Sequence, residues 1–216
     1  MSTSSQGLIP YDKYRGHDEQ TIKNRIWHAE VRKDATFKKE LQGKDVDRYQ
    51  VKWNGKTWIS YGKWLAAPRD PKFFRSKRIL IREITNPSIL AAYTEDEYYN
   101  TPSIINLVDF QDADPFFLLG VLNSKLLSFY HIETSPKSKK GLFPKILVND
   151  VRMLPIKTGD LESEKEIAQL ARQIMIQKES GPEHDTSKLE NKIDQLVYAL
   201  YGLTPEEIKI VEDSAK

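Results

Sequence analysis

Apolar and polar positions form recognisable patterns at several places along the chain, and each pattern predicts an element. In KRILIREI (residues 77–84) Ile79 and Ile81 fall on one side and Leu80 and Ile84 on the other, which predicts a strand apolar on both faces. IINLVDF (104–110) predicts a second strand. DVDRYQVKWNGKTWISYG (45–62) reads as two strands joined at Asn54-Gly55, a dipeptide that tolerates the positive φ of a tight hairpin turn. In that register Trp53 opposes Lys56 and Val51 opposes Trp58, so Tyr49, Val51, Trp53 and Trp58 share a face. Those aromatics suit base stacking, but aromatic strand faces are usually core, and core is the reading adopted. The lead GLIPYDKYRGHDEQTIKNR, punctuated by Gly7, Pro10 and Gly16, predicts no regular element, and NPSI and TEDEYYNTP read as turns.

Helical signals dominate the rest. Asp114-Pro115 has the form of an N-cap followed by proline in the first turn, opening PFFLLGVLNSKLLSFYHI, a helix apolar on nearly every side. Such a helix is buried, so Asn123 and Ser124 within it need hydrogen-bond partners. ETSPKSKKGLFPK follows as a basic loop, and ILVNDVRMLPI as a final strand or extended edge. Beyond Pro155 three capping boxes, Ser163 with Glu166, Ser187 with Glu190 and Thr204 with Glu207, predict three helices. Ile167, Leu170, Ala171 and Ile174 make one apolar stripe. Leu189, Ile193, Leu196, Val197, Leu200 and Tyr201 make another, so the first two helices should pair. Gly202 ends the second and Pro205 starts the third. The expected class is α+β: a mixed β-sheet domain with a buried central helix over residues 1–157, then a helical hairpin plus a short third helix over 158–216, packed on it or on a partner.

Composition sets outer limits. At 216 residues and 39% hydrophobic the chain can bury one good core. No apolar run reaches the roughly 20 residues needed to span a bilayer, and MSTSSQGLIP lacks the regions of a signal peptide, so a cytoplasmic location without membrane contact is expected. There is no Cys, and His17, His28, His131 and His184 are scattered, so no metal site is expected.

The net charge of +2 hides strong segregation. Residues 44–82 carry eleven cations against three carboxylates, whereas residues 83–124 carry seven carboxylates and no cation. Residues 125–157 are basic again, with seven cations to two carboxylates. Basic blocks are the footprint of a polyanion-binding surface, because Lys and Arg contacts to phosphate release condensed counterions. A solvated surface neutralised by acids nearby in space would produce the same sequence. The densest stretch is RDPKFFRSKRILIREI (69–84), where Pro68 and Pro71 exclude a strand and leave an exposed loop carrying Arg69, Lys72, Arg75, Lys77 and Arg78. Lys77 and Arg82 flank a buried strand and read as structural, paired with acids such as Asp45 or Asp109. Catalytic motifs are lacking: Asn86-Pro87-Ser88-Ile89 misses the second Pro and the aromatic of an amino-methyltransferase motif, and Glu207-Ile208-Lys209 sits in a capped helix without an acidic partner on a strand. No GxGxxG, Walker loop or Ser-His-Asp set occurs.

The ordered series QGLIPYDKYRG, LQGKDVDRYQVKW, FFRSKRILIREI, YNTPSIIN, LLGVLNSKLLSFY, VRMLPI and LYGLTPEEI, spanning roughly residues 6 to 214, resembles the TaqI-like C-terminal specificity domain of type II and type IIG restriction-modification methyltransferases. Leu122-Asn123-Ser124 followed by Leu154-Pro155-Ile156 is the most telling part, and in the family these look like scaffold positions rather than base readers. The resemblance implies a non-catalytic module that recognises double-stranded DNA opposite a separate methyltransferase or endonuclease domain or subunit. S-adenosylmethionine and Mg would belong to that other part, leaving no cofactor here. DNA contacts are then expected from Arg48, Lys63, Arg69, Lys72, Arg75 and Arg78, and from Lys137, Lys139, Lys140 and Lys145 in the second basic loop. Arg48, in GKDVDRY, serves either the fold or a phosphate. An RNA-binding module or a protein-interaction adaptor remains the alternative, although RNP and KH signatures are missing.

Overall fold

The computed structural model describes residues 3–85, 88–111, 113–135, 144–181 and 184–214. The centre is a four-stranded antiparallel sheet in the order β1 (Thr3–Gln6), β10 (Ile104–Val108), β7 (Arg78–Arg82), β8 (Ala91–Thr94). The two apolar strands expected from sequence are its middle pair, in the register Ile105 opposite Ile81 and Leu107 opposite Ile79. Their two faces serve different layers. Ile79, Ile81, Ile105 and Leu107 face the largest core, shared with the helices, and Leu80 and Ile104 face a smaller one with Leu41, Val46 and Ala92.

A second sheet orders β2 (His28–Ala29), β6 (Trp58–Ser60), β3 (Phe37–Leu41) and β9 (Tyr99–Asn100), with β9 parallel to β3. The expected hairpin across Asn54-Gly55 does not form. Val51 pairs with Val46, as β4 (Val46–Asp47) and β5 (Gln50–Val51) make their own tight ribbon, and Trp58 pairs with Lys39 and Ala29. Asn54-Gly55 is still a turn, with Gly55 at φ 78 and the Asn54 side chain accepting from Lys56 N. The turn chemistry was local and correct, but the strand partners were decided by distant segments. Of the four aromatic or apolar positions expected on one face, Tyr49 is buried in the helix-side core, while Val51 and Trp53 pack against the smaller one.

The helices are α1 (Glu19–Lys23), α2 (Lys72–Arg75), α3 (Pro115–Leu122), α4 (Lys125–Thr134), α5 (Val148–Met153), α6 (Leu161–Ser180), α7 (Ser187–Tyr201) and α8 (Pro205–Ser214). Asp114 caps α3 as expected, accepting from Phe116 N. The single long helix anticipated through residue 132 is broken at Asn123-Ser124, where Ser124 turns extended and caps α4. The buried Asn123 amide explains the break: its Oδ1 accepts from Ala91 N and its Nδ2 donates to Ala91 O, both at 2.9 Å. Ser128 Oγ accepts from Ile89 N. These side chains stand beside the start of β8, where Tyr49 N also donates to Ala91 O, so that end of the edge is met by helix-borne amide and hydroxyl groups together with the β4–β5 turn.

ILVNDVRMLPI, expected as a strand, contains helix α5, started by Leu147 N donating to Asp150 Oδ2. The three C-terminal helices exist, with two of their starts differing from expectation. Asp160 rather than Ser163 caps α6, and Thr186 rather than Ser187 reaches Glu190. Thr204 and Glu207 form the expected reciprocal box, and Gly202 ends α7 at φ 73. Ile167, Leu170, Ala171 and Ile174 of α6 and Ile193 and Val197 of α7 lie in the same core as the central sheet.

Helices α3 and α6 meet at Gly120, where an added Cβ would lie 2.6 Å from Ile167 Cγ2. Alanine in a helix interior ordinarily stabilises by about 0.5–1 kcal/mol over glycine. Here overpacking should win: Gly120→Ala is expected to lower unfolding free energy by about 1–3 kcal/mol in urea denaturation.

Candidate nucleic-acid interface

The basic segment 69–78 folds as a turn, the short helix α2 and the entry to β7. Asp70 accepts from Lys72 N to start α2, and Tyr61 Oη donates to Arg69 O, pinning the loop to the second sheet. Arg69 adopts φ 63 and donates its Nε to Gly7 O at 3.4 Å. Lys72 Nζ lies 3.2 Å from Asp109, Arg75 Nε 3.1 Å from Glu97, and Lys77 Nζ 3.3 Å from Glu95. Lys38 shares Glu97, and Lys145 in the second basic block pairs with Glu83 at 3.2 Å. The acidic block 83–124 thus lies against the basic block 44–82, and much of the apparent positive surface is cancelled. Burial works against ionised Glu97, but Lys38, Tyr99 and Arg75 together hold its carboxyl below the usual range. The Lys72 ammonium, with a hydrogen bond from Thr3, does the same for Asp109.

These exposed pairs contribute little, typically under about 1 kcal/mol each, so a phosphate can compete for Lys72, Arg75 or Lys145. Arg78 is different and corrects the sequence expectation. Its residue is 0% exposed, with Nη1 donating to Ser76 O and Nη2 to Tyr98 O, so it braces the turn between α2 and β7 and has no route to a phosphate. Burial lowers its pKa to about 10, against the nearby Asp96 and Glu97, and it remains charged at neutral pH.

Arg48 resolves toward the fold. Its Nε lies 2.9 Å from Glu190 Oε2 and Lys178 Nζ 3.2 Å from Oε1 of the same carboxylate, while Lys178 also donates to Arg48 O. The turn of the β4–β5 ribbon is thereby tied to α6 and α7, with Tyr49 at φ 61 buried beneath it. Lys77 faces Glu95 in an exposed pair rather than Asp45, whose carboxylate instead accepts from Gln42 N. Lys63 is exposed and forms no ion pair among the described residues. Lys137, Lys139 and Lys140 lie outside the described residues, as do Asn86 and Pro87. Among the described residues no group of three His, Asp or Glu side chains could hold a metal, and no helix is long and apolar enough to cross a membrane.

Further exposed cations that form no salt bridge among the described residues include Lys13, Lys23, Arg25, Arg32 and Lys33. Sequence reasoning passed over them because their segment is interspersed with carboxylates and nearly neutral. The signal available was that those carboxylates, Asp12, Asp18 and Asp34, each precede a turn they could cap.

The model of the TaqI-like C-terminal specificity domain matches residues 38–156, more than half of the chain. The chain belongs to this family. The match runs from β3 to the residues just beyond α5, covering the paired core strands and the α3–α4 break. A putative type II restriction enzyme and methyltransferase of Methanocaldococcus jannaschii is 31% identical over 177 residues, an alignment that covers 77% of this chain and 15% of that protein. The Type IIL restriction-modification enzyme MmeI, solved in complex with DNA, shares the fold at a TM-score of 0.66 and 13% identity, covering all of this chain and 35% of MmeI. The chain therefore corresponds to a minor part of each of these enzymes.

The contrast between neighbouring cations is measurable. Arg78→Ala should lower stability by about 2–4 kcal/mol, because it strips two buried carbonyls of a charged donor. Lys77→Ala, at a side chain 70% exposed, should change it by less than about 0.5 kcal/mol in the same denaturation assay.

Proposed function

We propose that this chain is the sequence-specific DNA-recognition module of a type II restriction-modification enzyme, docking on duplex DNA opposite a separate methyltransferase or endonuclease part. The observation that carries the reading is the family match over the segment that contains three of the four strands of the central sheet and helices α3 to α5. The restriction-modification character of the Methanocaldococcus jannaschii relative and the DNA-bound state of the MmeI fold neighbour support it. So does the construction: a sheet whose edge is closed by buried side chains is a rigid base, and the exposed cations lie on loops around it. Lys63, Arg69 and Lys145 on loops and Lys72 and Arg75 on the short helix α2 are exposed or half-exposed, and Lys72, Arg75 and Lys145 are held by weak surface pairs that phosphate can displace. In this role the chain supplies binding and orientation, and S-adenosylmethionine and Mg are handled by the catalytic part.

Duplex titrations across a salt series test the reading. Affinity should fall with a log–log slope of about −3 to −6, at roughly 0.9 per phosphate contacted, and duplex should be preferred over single-stranded DNA and RNA of the same length. Calorimetry with S-adenosylmethionine and a methyl-transfer assay on the isolated chain should both be blank. A salt-independent affinity, or turnover by the chain alone, would overturn the proposal.

A further inference from the structure

One end of the second sheet gathers a set of loops that are far apart in sequence. His28 pairs with Ile59 and Phe37 with Ser60, so the start of β2, the start of β3 and the end of β6 lie side by side. The loops leaving that end are 24–27, 32–36 and 61–66, and the 12–17 turn is fastened onto them. Arg15 Nη1 donates to Ala66 O at 2.6 Å, His17 Nε2 bonds Trp64 O at 2.9 Å, and Trp27 N donates to Tyr11 Oη. The rings of Trp27 and Trp64 pack at 5.9 Å, and Tyr61 N donates to Thr36 O. The result is a braced rim rather than loose loops.

Three features of this rim point outward. Lys13, Arg25, Arg32, Lys33 and Lys63 are exposed, and none forms a salt bridge among the described residues. Three of the carboxylates interspersed with them cap turns: Asp12 accepts from Tyr14 N, Asp18 from Thr21 N and Asp34 from Thr36 N, while Asp12 also faces Arg15 at 3.8 Å and Glu19 and Glu30 are exposed. Tyr14 stands 87% exposed at the tip, with Val31 and Ile26 also open to solvent. Arg25 is held at φ 48, a left-handed conformation that glycine adopts without cost and arginine does not. The position follows the C-cap of α1, where the chain leaves the helix, and Arg25 N donates to Ile22 O, so the turn fixes where the guanidinium starts.

We infer that this rim, centred on Arg25 with Lys13, Lys33 and Lys63, is the principal duplex-DNA contact surface of the chain, ahead of the basic segment 69–78. The inference rests on the DNA-recognition reading and places it on the molecule. The rim is continuous with that segment through Tyr61, which holds Arg69 O, so one duplex can touch both. They differ in readiness: Lys72, Arg75 and Lys77 must each leave a carboxylate to meet phosphate, and the rim cations leave none. In this arrangement the rim cations line the phosphate backbone, and Arg25 carries the fork that can meet a base edge bidentately.

The test compares three variants with the parent in duplex titrations over a salt series, with thermal melts. Lys13→Ala/Arg25→Ala/Lys33→Ala/Lys63→Ala should lose at least about tenfold in affinity and flatten the salt slope by about 3 to 4, near one unit per phosphate contact removed. Lys72→Ala/Arg75→Ala/Lys77→Ala should lose at most about threefold. Arg25→Gly, which suits the backbone, should melt within about 2 °C of the parent yet bind more weakly. Parent-like binding by the rim variant, or an equal or larger loss in the 72–77 variant, overturns the inference while the DNA-recognition reading stands. Parent-like affinity of Arg25→Gly removes Arg25 from its centre. A parent that binds no duplex at low salt removes the reading and the inference together.

Discussion

A sheet covered on both faces must still satisfy the backbone groups along its edge, and in this protein the edge at β8 is what the helices are arranged to close. Ala91 gives and receives a hydrogen bond with the Asn123 amide, and Ala91 O accepts again from Tyr49 N. Ile89 N finds Ser128 Oγ. An unmet buried peptide group costs about 1–3 kcal/mol, so these contacts dictate where α3 must stop and α4 begin. From that break follow the approach of α3 to α6 at Gly120 and the cap of α4, whose Lys125 N is received by the buried Asp194 of α7. Burial holds the Asp194 carboxyl above its ordinary pKa even with Lys125 beside it.

Electrostatics repeats the theme of distant segments completing one another. The acids of residues 83–124 and the cations of residues 44–82 are adjacent in sequence but meet in space through β7, β8 and β10 and the turns around them. Lys72 with Asp109, Arg75 with Glu97 and Lys77 with Glu95 convert a run of positive charge into a laced surface. Arg48 and Lys178, gripping Glu190 together, use the same chemistry to fix the β4–β5 ribbon to the C-terminal helices. At the loop end of the second sheet Lys13, Arg25, Lys33 and Lys63 are exposed and form no salt bridge among the described residues. A rigid body with unpaired cations on braced loops is the kind of surface that registers a phosphate backbone without reorganising.

The family match spans the sheet-and-break region, and the C-terminal helices lie beyond it while contributing to the same core. Leu122-Asn123-Ser124 owes its place to the strand edge it closes, consistent with scaffold rather than contact. Leu154-Pro155-Ile156 is anchored similarly, with Tyr201 Oη of α7 donating to Pro155 O.

The sequence by itself determined what depends on neighbours a few residues away. The two-faced strands β7 and β10, the Asp114-Pro115 helix start, the Thr204-Glu207 box, the Gly202 stop and the pairing of α6 with α7 were legible from periodicity and capping chemistry. Only the tertiary structure decided strand partners, because the strands at 46–47, 50–51, 91–94 and 99–100, two to four residues long, carry too little pattern to name a distant mate. It also broke the apolar helix at Asn123, since a buried amide stops a helix only when a strand edge offers it both a donor and an acceptor. Above all it decided the fate of each cation: Arg75, Lys77 and Arg78 sit within four residues of one another, yet one is half-exposed beside Glu97, one stands in solvent and one is fully buried. Charge is written in the sequence, but its availability depends on which carboxylates and carbonyls the fold brings within about 3 Å.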